Sequence, residues 1–473
     1  MTAQQPARPS LVAIVLAAVL SSVGLAPAAA AGPNAPGAEA SLDQLRWARH
    51  WGRHGAPFHD YGNAVTATAD AIYVAASSES SPRSLLGVVR YNLDGSLAWA
   101  SRLRLGTDRR GELGDIAMLA DGGIVVTGYT SGATGARLRT IVVEPDGSTR
   151  WSHSQGLETH IGLQFQPRLA VGPAGTIYVA GSTGDRFLAV TYGSDGKRGW
   201  IRRLDLVPGQ PDSATSIAAD AAGNAYVTGP IGGGFGGFTT VRIRPSGKIA
   251  WRQNQQGAIS STLGPSYVAV APDGRVVVTG VTESGCGLHA ATTYALDERH
   301  GMREWLSTYP AQGCFLMEAV GMSVRSDGSV VVAGTQLASG SNHDGVVVSY
   351  TADGAEEWVT PYGTAGTDLA TGTVIDDGTT YVTGSTDVAL STMDVLTAAF
   401  ARDGAMIWTD RFDTGNSSER PTNLALVPGG DVVTTGTDWR DGKLEEVLTL
   451  SYRRDTAGAR HRTDPRDARP RRS

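Results

Sequence analysis

Short runs rich in Val, Ile, Thr, Tyr and small residues alternate with Gly, Asp, Asn and Ser along most of this chain. Such runs bounded by turn residues predict short β-strands rather than helices. The stretch Ala214–Gln253 shows the pattern in full. Ala214–Ala219 predicts a strand of small residues, strand a. Asp220-Ala-Ala-Gly-Asn224 predicts a turn. Ala225–Gly229 predicts a buried β-branched strand, b. The Gly-rich Ile231–Gly237 predicts a loop, Phe238–Arg244 a third strand, c, and Ser246-Gly247 a second turn. Lys248–Gln253, containing Trp251, predicts a fourth strand, d.

This unit recurs. Strand b ends on a small residue at Ala76, Gly128, Gly181, Gly229, Gly280, Gly334, Gly384 and Gly436, at intervals of 48 to 54 residues. One Trp keeps the same rhythm, at Trp47, Trp99, Trp151, Trp200, Trp251, Trp305, Trp358 and Trp408. Asp-Gly forms the second turn in many units, at Asp94-Gly95, Asp146-Gly147, Asp195-Gly196, Asp353-Gly354 and Asp403-Gly404. Such pairs tolerate the positive φ of tight hairpin turns. Four short strands repeated eight times predict an all-β, eight-bladed β-propeller with four antiparallel strands per blade.

The two markers are out of phase at the ends. Trp47 precedes the first a-b-c set, and the last set, Thr422–Tyr452, has no Trp after it. The segment Leu45–Trp51 is therefore predicted to supply strand d of the last blade. That closes the ring and removes an exposed sheet edge. An apolar residue stands eight positions before most of the Trp, as Tyr91 does before Trp99. The Trp thus falls on the c–d hairpin, where its ring is expected to wedge between neighbouring blades.

The ends differ from the body. Residues 1–31 read as a signal peptide: Arg8, an apolar run from Leu11 to Leu25, then small residues ending at Ala31. The apolar run is too short to span a bilayer comfortably, and none later is long enough. Residues 32–44 read as a linker, 45–452 as the propeller and 453–473 as a disordered Arg-rich tail. The body from Gly32 to Tyr452 holds 31 basic and 43 acidic residues, which argues against a nucleic-acid surface. A secreted, monomeric protein is expected. Its only two cysteines, Cys286 and Cys314, flank the c–d hairpin of the fifth unit. In an exported chain they predict a disulfide, with two free thiols as the alternative.

Units such as Asp220-Ala-Ala-Gly-Asn-Ala-Tyr-Val-Thr-Gly229 resemble the bacterial propellers built from SBBP-type repeats. The fifth unit, with Tyr294-Ala-Leu-Asp297, Gly301 and Trp305, is similar to the PQQ-type propeller repeat. The resemblance covers about Leu45 to Tyr452 and implies a fold more than an activity. No adjacent cysteine pair of the PQQ-dependent dehydrogenase kind is present, so no cofactor is expected from it. The repeated Trp-Asp and Kelch glycine patterns are missing too.

Candidate chemistry is sparse. An acidic residue stands 16 or 17 positions before the end of strand b in six units: Asp60, Glu112, Asp212, Glu318, Asp368 and Glu419. Each is read first as an acceptor for backbone N–H groups in its own turn. The alternative is a ring of oxygen ligands at one mouth of the channel, suited to Ca²⁺. His50, His54 and His59 gather near the closing strand with Asp60; they read as surface side chains, with metal ligation as the alternative. The glycines of Ile231–Gly237 lack the helix and Lys of a phosphate loop. The sequence thus predicts a non-catalytic extracellular propeller that binds a protein or glycan through loops. A hydrolase or lyase at the channel mouth is the alternative, and a quinoprotein-type oxidoreductase the remotest reading.

Overall fold

A computed structural model of the chain describes residues 44–52, 59–79, 84–103, 110–133, 135–158, 165–234, 237–255, 265–283, 289–310, 317–337, 342–376, 378–387, 392–415, 417–440 and 444–454. Residues 1–43, His54, Cys286, Cys314 and the residues after 454 lie outside them, and so do the predicted signal peptide and disulfide. Among the described residues there are 32 strands, numbered β1–β32 in chain order, and two single turns of 3-10 helix. No helix among them is long and apolar enough to cross a membrane.

The strands form six four-stranded antiparallel sheets and one sheet of eight. In the fourth unit the strands are β14 (Ser216–Ala219), β15 (Ala225–Pro230), β16 (Phe238–Ile243) and β17 (Ile249–Gln255), paired in that order. The eight-stranded sheet is two such units side by side. One is β2 (His59–Ala67), β3 (Ala71–Glu79), β4 (Leu85–Asn92) and β5 (Leu97–Leu103). The other is β30 (Ser417–Leu426), β31 (Val432–Arg440), β32 (Leu444–Tyr452) and β1 (Leu45–Trp51). A single parallel bridge, His59 to Glu445, joins them. β1 pairs antiparallel with β32 from Leu45–Tyr452 to Trp51–Val447. The N–H of Arg453 donates to the Gln44 carbonyl at 2.8 Å, just beyond that ladder.

The first strand of each sheet touches the first strand of the next. The series runs through β2, β6 (Arg110–Met118), β10 (Arg168–Val171), β14, β18 (Tyr267–Val270), β22 (Met317–Val324), β26 (Thr367–Ile375) and β30. β30 in turn touches β2. The apolar core lies between sheets rather than inside one. Tyr73, Leu86 and Val88 of one unit pack with Leu113, Ile124, Val126 and Ile141 of the next.

The small residue that ends strand b has a steric cause. In five units the first strand carries a bulge opposite it, as between Leu113 and Asp115 and between Pro421 and Asn423. A Cβ on Gly128, Gly384 or Gly436 would overlap the carbonyl of Glu112, Leu369 or Arg420. The glycine there serves close backbone approach, not a turn.

The repeated Trp links each sheet to the next. Its ring lies on the glycine of the following sheet's c–d turn, seven times: Trp47 on Gly95, Trp99 on Gly147, Trp151 on Gly196, Trp200 on Gly247, Trp251 on Gly301, Trp305 on Gly354 and Trp358 on Gly404. All seven glycines have positive φ. In six cases the indole N–H also donates to a carbonyl of that turn, at 2.9 to 3.1 Å. Trp408 is the exception. The last sheet takes its fourth strand from the other end of the chain, so it has no c–d turn to cover. Trp408 is buried beside Tyr452 and Tyr381, and its N–H finds no acceptor among the described residues.

This contact yields a test. Gly404→Ala and Gly429→Ala both impose positive φ on a side chain (86° and 68°), a strain worth roughly 1–2 kcal/mol. Only at 404 would the methyl stand 2.6 Å from the Trp358 ring, whereas nothing lies within 4 Å at 429. Gly404→Ala is therefore expected to cost at least about 1 kcal/mol more, measured by urea unfolding. Equal losses would refute the contact.

Candidate functional site

The two faces of the assembly are built differently. The turns joining third to fourth strands hold four to six residues and carry the Trp-covered glycines. On the opposite face, the connections from a fourth strand to the next first strand hold from four residues (413–416) to eleven (157–167). The second-to-third connections share that face. Side chains at the start of first and third strands, and at the end of second and fourth strands, gather there.

The six acidic residues singled out by spacing lie on this face. Five fall within first strands, because those strands continue past the bulge; only Asp212 precedes its strand. Asp212 is buried and accepts the N–H groups of Leu206 (2.7 Å), Val207 (3.1 Å) and Gly232 (3.0 Å). Burial nevertheless pushes its carboxyl up against those three bonds. It thereby anchors the first part of the Ile231–Gly237 loop, where Ile231 is buried and Gly232–Gly234 form a single 3-10 turn. Asp368 is buried and accepts the Thr364 N–H at 2.7 Å; burial raises it too. Glu419 accepts the Ser417 hydroxyl at 2.6 Å. Glu318 stands 3.5 Å from His289 Nδ1. Asp60 is buried on β2, opposite Ser78. The six do not converge. Among the described residues, the one group of three potential ligands within 4.8 Å of one another contains only Glu419 of them, with Asp394 and Asp413.

Glu112 on β6 behaves differently. Its side chain reaches solvent, yet the surrounding protein and the charge of Glu79 push its carboxyl up to about 7. The Asn63 amide donates to it at 3.4 Å. Tyr61 stands close by. Its phenol is pushed far above the ordinary range, first by burial, then by Glu445, Glu79 and Glu112. This region spans the last, first and second sheets.

The histidines meet partners there that the sequence did not suggest. His50 Nε2 on β1 stands 2.7 Å from Asp438 Oδ2 on β31, and His59 Nδ1 on β2 stands 3.2 Å from Glu445 Oε2 on β32. These pairs join residues nearly 390 positions apart. The signal that could have found them is the phase mismatch at the chain ends, because β1 beside β32 carries His50 into the last sheet. An adjoining cleft of about 200 Å³ is lined by Trp51, Asp60, Ser78, Leu86 and Arg102. That is smaller than the sites that enclose drug-sized ligands.

A second polar group sits one sheet away. Asp394 opens β28 (Asp394–Ala401), and Asp413 follows β29 (Met406–Phe412). Arg411 Nε is 3.1 Å from Asp394 Oδ2, and its Nη2 is 2.8 Å from Asp413 Oδ2. Burial above all, then Asp413, raises the Asp394 carboxyl to about 6, against the pull of Arg411.

No protein-family model matches the chain, and no curated protein matches it. Solved structures do. It is similar to quinohemoprotein alcohol dehydrogenase from Comamonas testosteroni, at 13% identity and TM-score 0.54, over 86% of this chain and 76% of that one. It is similar to quinohemoprotein alcohol dehydrogenase ADHIIG from Pseudomonas putida HK5, at 14% identity and TM-score 0.50, over 88% and 78%. The β-propeller domain of the Trilobed protease from Pyrococcus furiosus aligns at 10% identity and TM-score 0.43, over 73% and 98%. At these identities the likeness is one of fold. The chain has a β-propeller repeat fold consistent with the PQQ-like class.

Glu112 gives a pH test. An unfolded Glu ionises near 4.3, but this one holds its proton to about 7 in the fold. As pH rises through that window the unfolded state loses its proton first, so the wild type loses stability. Glu112→Gln removes this contribution. The variant is expected to melt above the wild type at pH 8 and with it near pH 4, by scanning calorimetry. A pH-independent difference would contradict the assignment.

Proposed function

We propose that this chain is an exported, eight-bladed propeller of the SBBP-type, closed by β1, that binds an extracellular protein or glycan through its loop face. The observation that carries this reading is the division between the faces. One is occupied by Trp-covered turns of nearly constant length. The other bears connections of unequal length and the carboxylates Glu79, Glu112 and Glu445. Regular positions hold the ring, and irregular ones are free to recognise. The apolar run before Ala31 supports export.

A hydrolase or lyase draws on Glu112, because a carboxyl near 7 suits general acid–base work at neutral pH. A quinoprotein-type oxidoreductase draws only on fold likeness. A quinone bearing several carboxylates does not fit a region lined by Glu79, Glu112 and Glu445.

Closure is tested by deleting Leu45–Trp51. The truncated protein is expected to melt well below the full chain, because β32 loses its partner and exposes an edge; an unchanged Tm would refute ring closure. Binding is tested on a glycan array and a panel of secreted proteins. The triple variant Glu79→Gln, Glu112→Gln, Glu445→Gln is expected to weaken the interaction about tenfold or more, with Gly429→Ala unaffected. If the wild type instead cleaves the bound molecule, and Glu112→Gln abolishes cleavage, the enzyme reading replaces this one.

A further inference from the structure

The junction between the seventh and last sheets gathers three carboxylates around one guanidinium among the described residues. Asp394 and Asp413 come from the seventh sheet and Glu419 from the first strand of the last. Oxygens of all three lie within 4.8 Å of one another. Asp394 is 4% exposed and Glu419 fully buried. One oxygen of each is provided for. Asp394 Oδ2 faces Arg411, and Glu419 Oε1 accepts from Ser417 and from the hydroxyl and N–H of Thr414. The other oxygen of each, Asp394 Oδ1 and Glu419 Oε2, is buried and has no hydrogen-bond partner among the described residues.

Buried carboxylate oxygens are ordinarily satisfied, because leaving one without a donor costs most of its hydration. Here two such oxygens belong to one cluster. Among the described residues, the charged groups that act most on Asp394 are Asp413, Glu419, Asp387 and the guanidinium of Arg411. One cation cannot balance three clustered carboxylates. The unmet demand is for positive charge and for oxygen ligation. The donor set contains no imidazole or thiolate, which disfavours zinc. Carboxylates beside hydroxyls suit a hard cation with flexible coordination and ligand distances of about 2.3–2.6 Å.

We propose that Asp394, Asp413 and Glu419 form a calcium site that ties the seventh sheet to the last. This is not the six-residue ring suggested by spacing; it shares only Glu419 with it. The cation stands at the sheet that accepts β1, so it reinforces the ring next to its closure.

The test uses the full exported chain after EDTA treatment. Calorimetric titration with calcium chloride at pH 7.5 is expected to show saturable binding. Calcium about a hundredfold above its Kd should raise Tm by roughly 3 °C. Asp394→Asn is expected to raise the Tm measured in EDTA, by removing a buried like charge, and to abolish the calcium response. Asp413→Asn, at a more exposed position, should fold normally and weaken binding at least about tenfold. Asp70→Asn on the opposite face should leave binding unchanged. A wild type with neither heat nor Tm shift, or variants at 394 and 413 that respond like the wild type, would overturn the site.

Discussion

A tryptophan lying on a glycine is the contact on which this molecule depends. Each sheet is too narrow to bury both faces alone, so it must be covered by its neighbour. The Trp of one fourth strand does this at the rim, stacking on the next sheet's turn and usually hydrogen-bonding to it. The turn must offer a residue with positive φ and no side chain. The two sequence markers, Trp and Asp-Gly, are thus halves of one interaction between successive units. The spacing of one cannot drift without the other.

This coupling explains why so much of the fold was legible. Strand positions in the fourth unit fall within a few residues of those read from hydrophobic pattern and turn residues. The pairing of β1 with β32 follows from Trp47 leading the first unit and from no Trp following the last. What the pattern hid was the bulge. Asp60, Glu112, Glu318, Asp368 and Glu419 read as acceptors in turns, whereas the bulged first strands extend past that boundary and contain them. The glycine ending strand b was its trace, readable only once a carbonyl was seen opposite it.

The polar sites were less legible for a different reason. His50 with Asp438 and His59 with Glu445 are products of closure, and no local spacing encodes them. Asp394 and Asp413 lie outside the periodic positions altogether. The repeat draws attention to what recurs, while these side chains belong to one junction each. The regular carboxylate at Asp212 turned out to hold its own loop.

The Trp-on-turn contact also has a direction. The surface a unit gives is not the surface it receives, so the interaction is head-to-tail. Such an interaction has two possible outcomes in general: it closes on itself or it continues without limit. A run of these units with matched ends would present a donor Trp at one side and an open turn at the other, as a growing filament does. Here the terminal sheet has no turn to offer, and Trp408 faces Tyr452 instead. Its missing fourth strand is taken from the start of the same chain. The exchange that completes the last sheet is therefore also what ends the series of Trp-on-turn contacts.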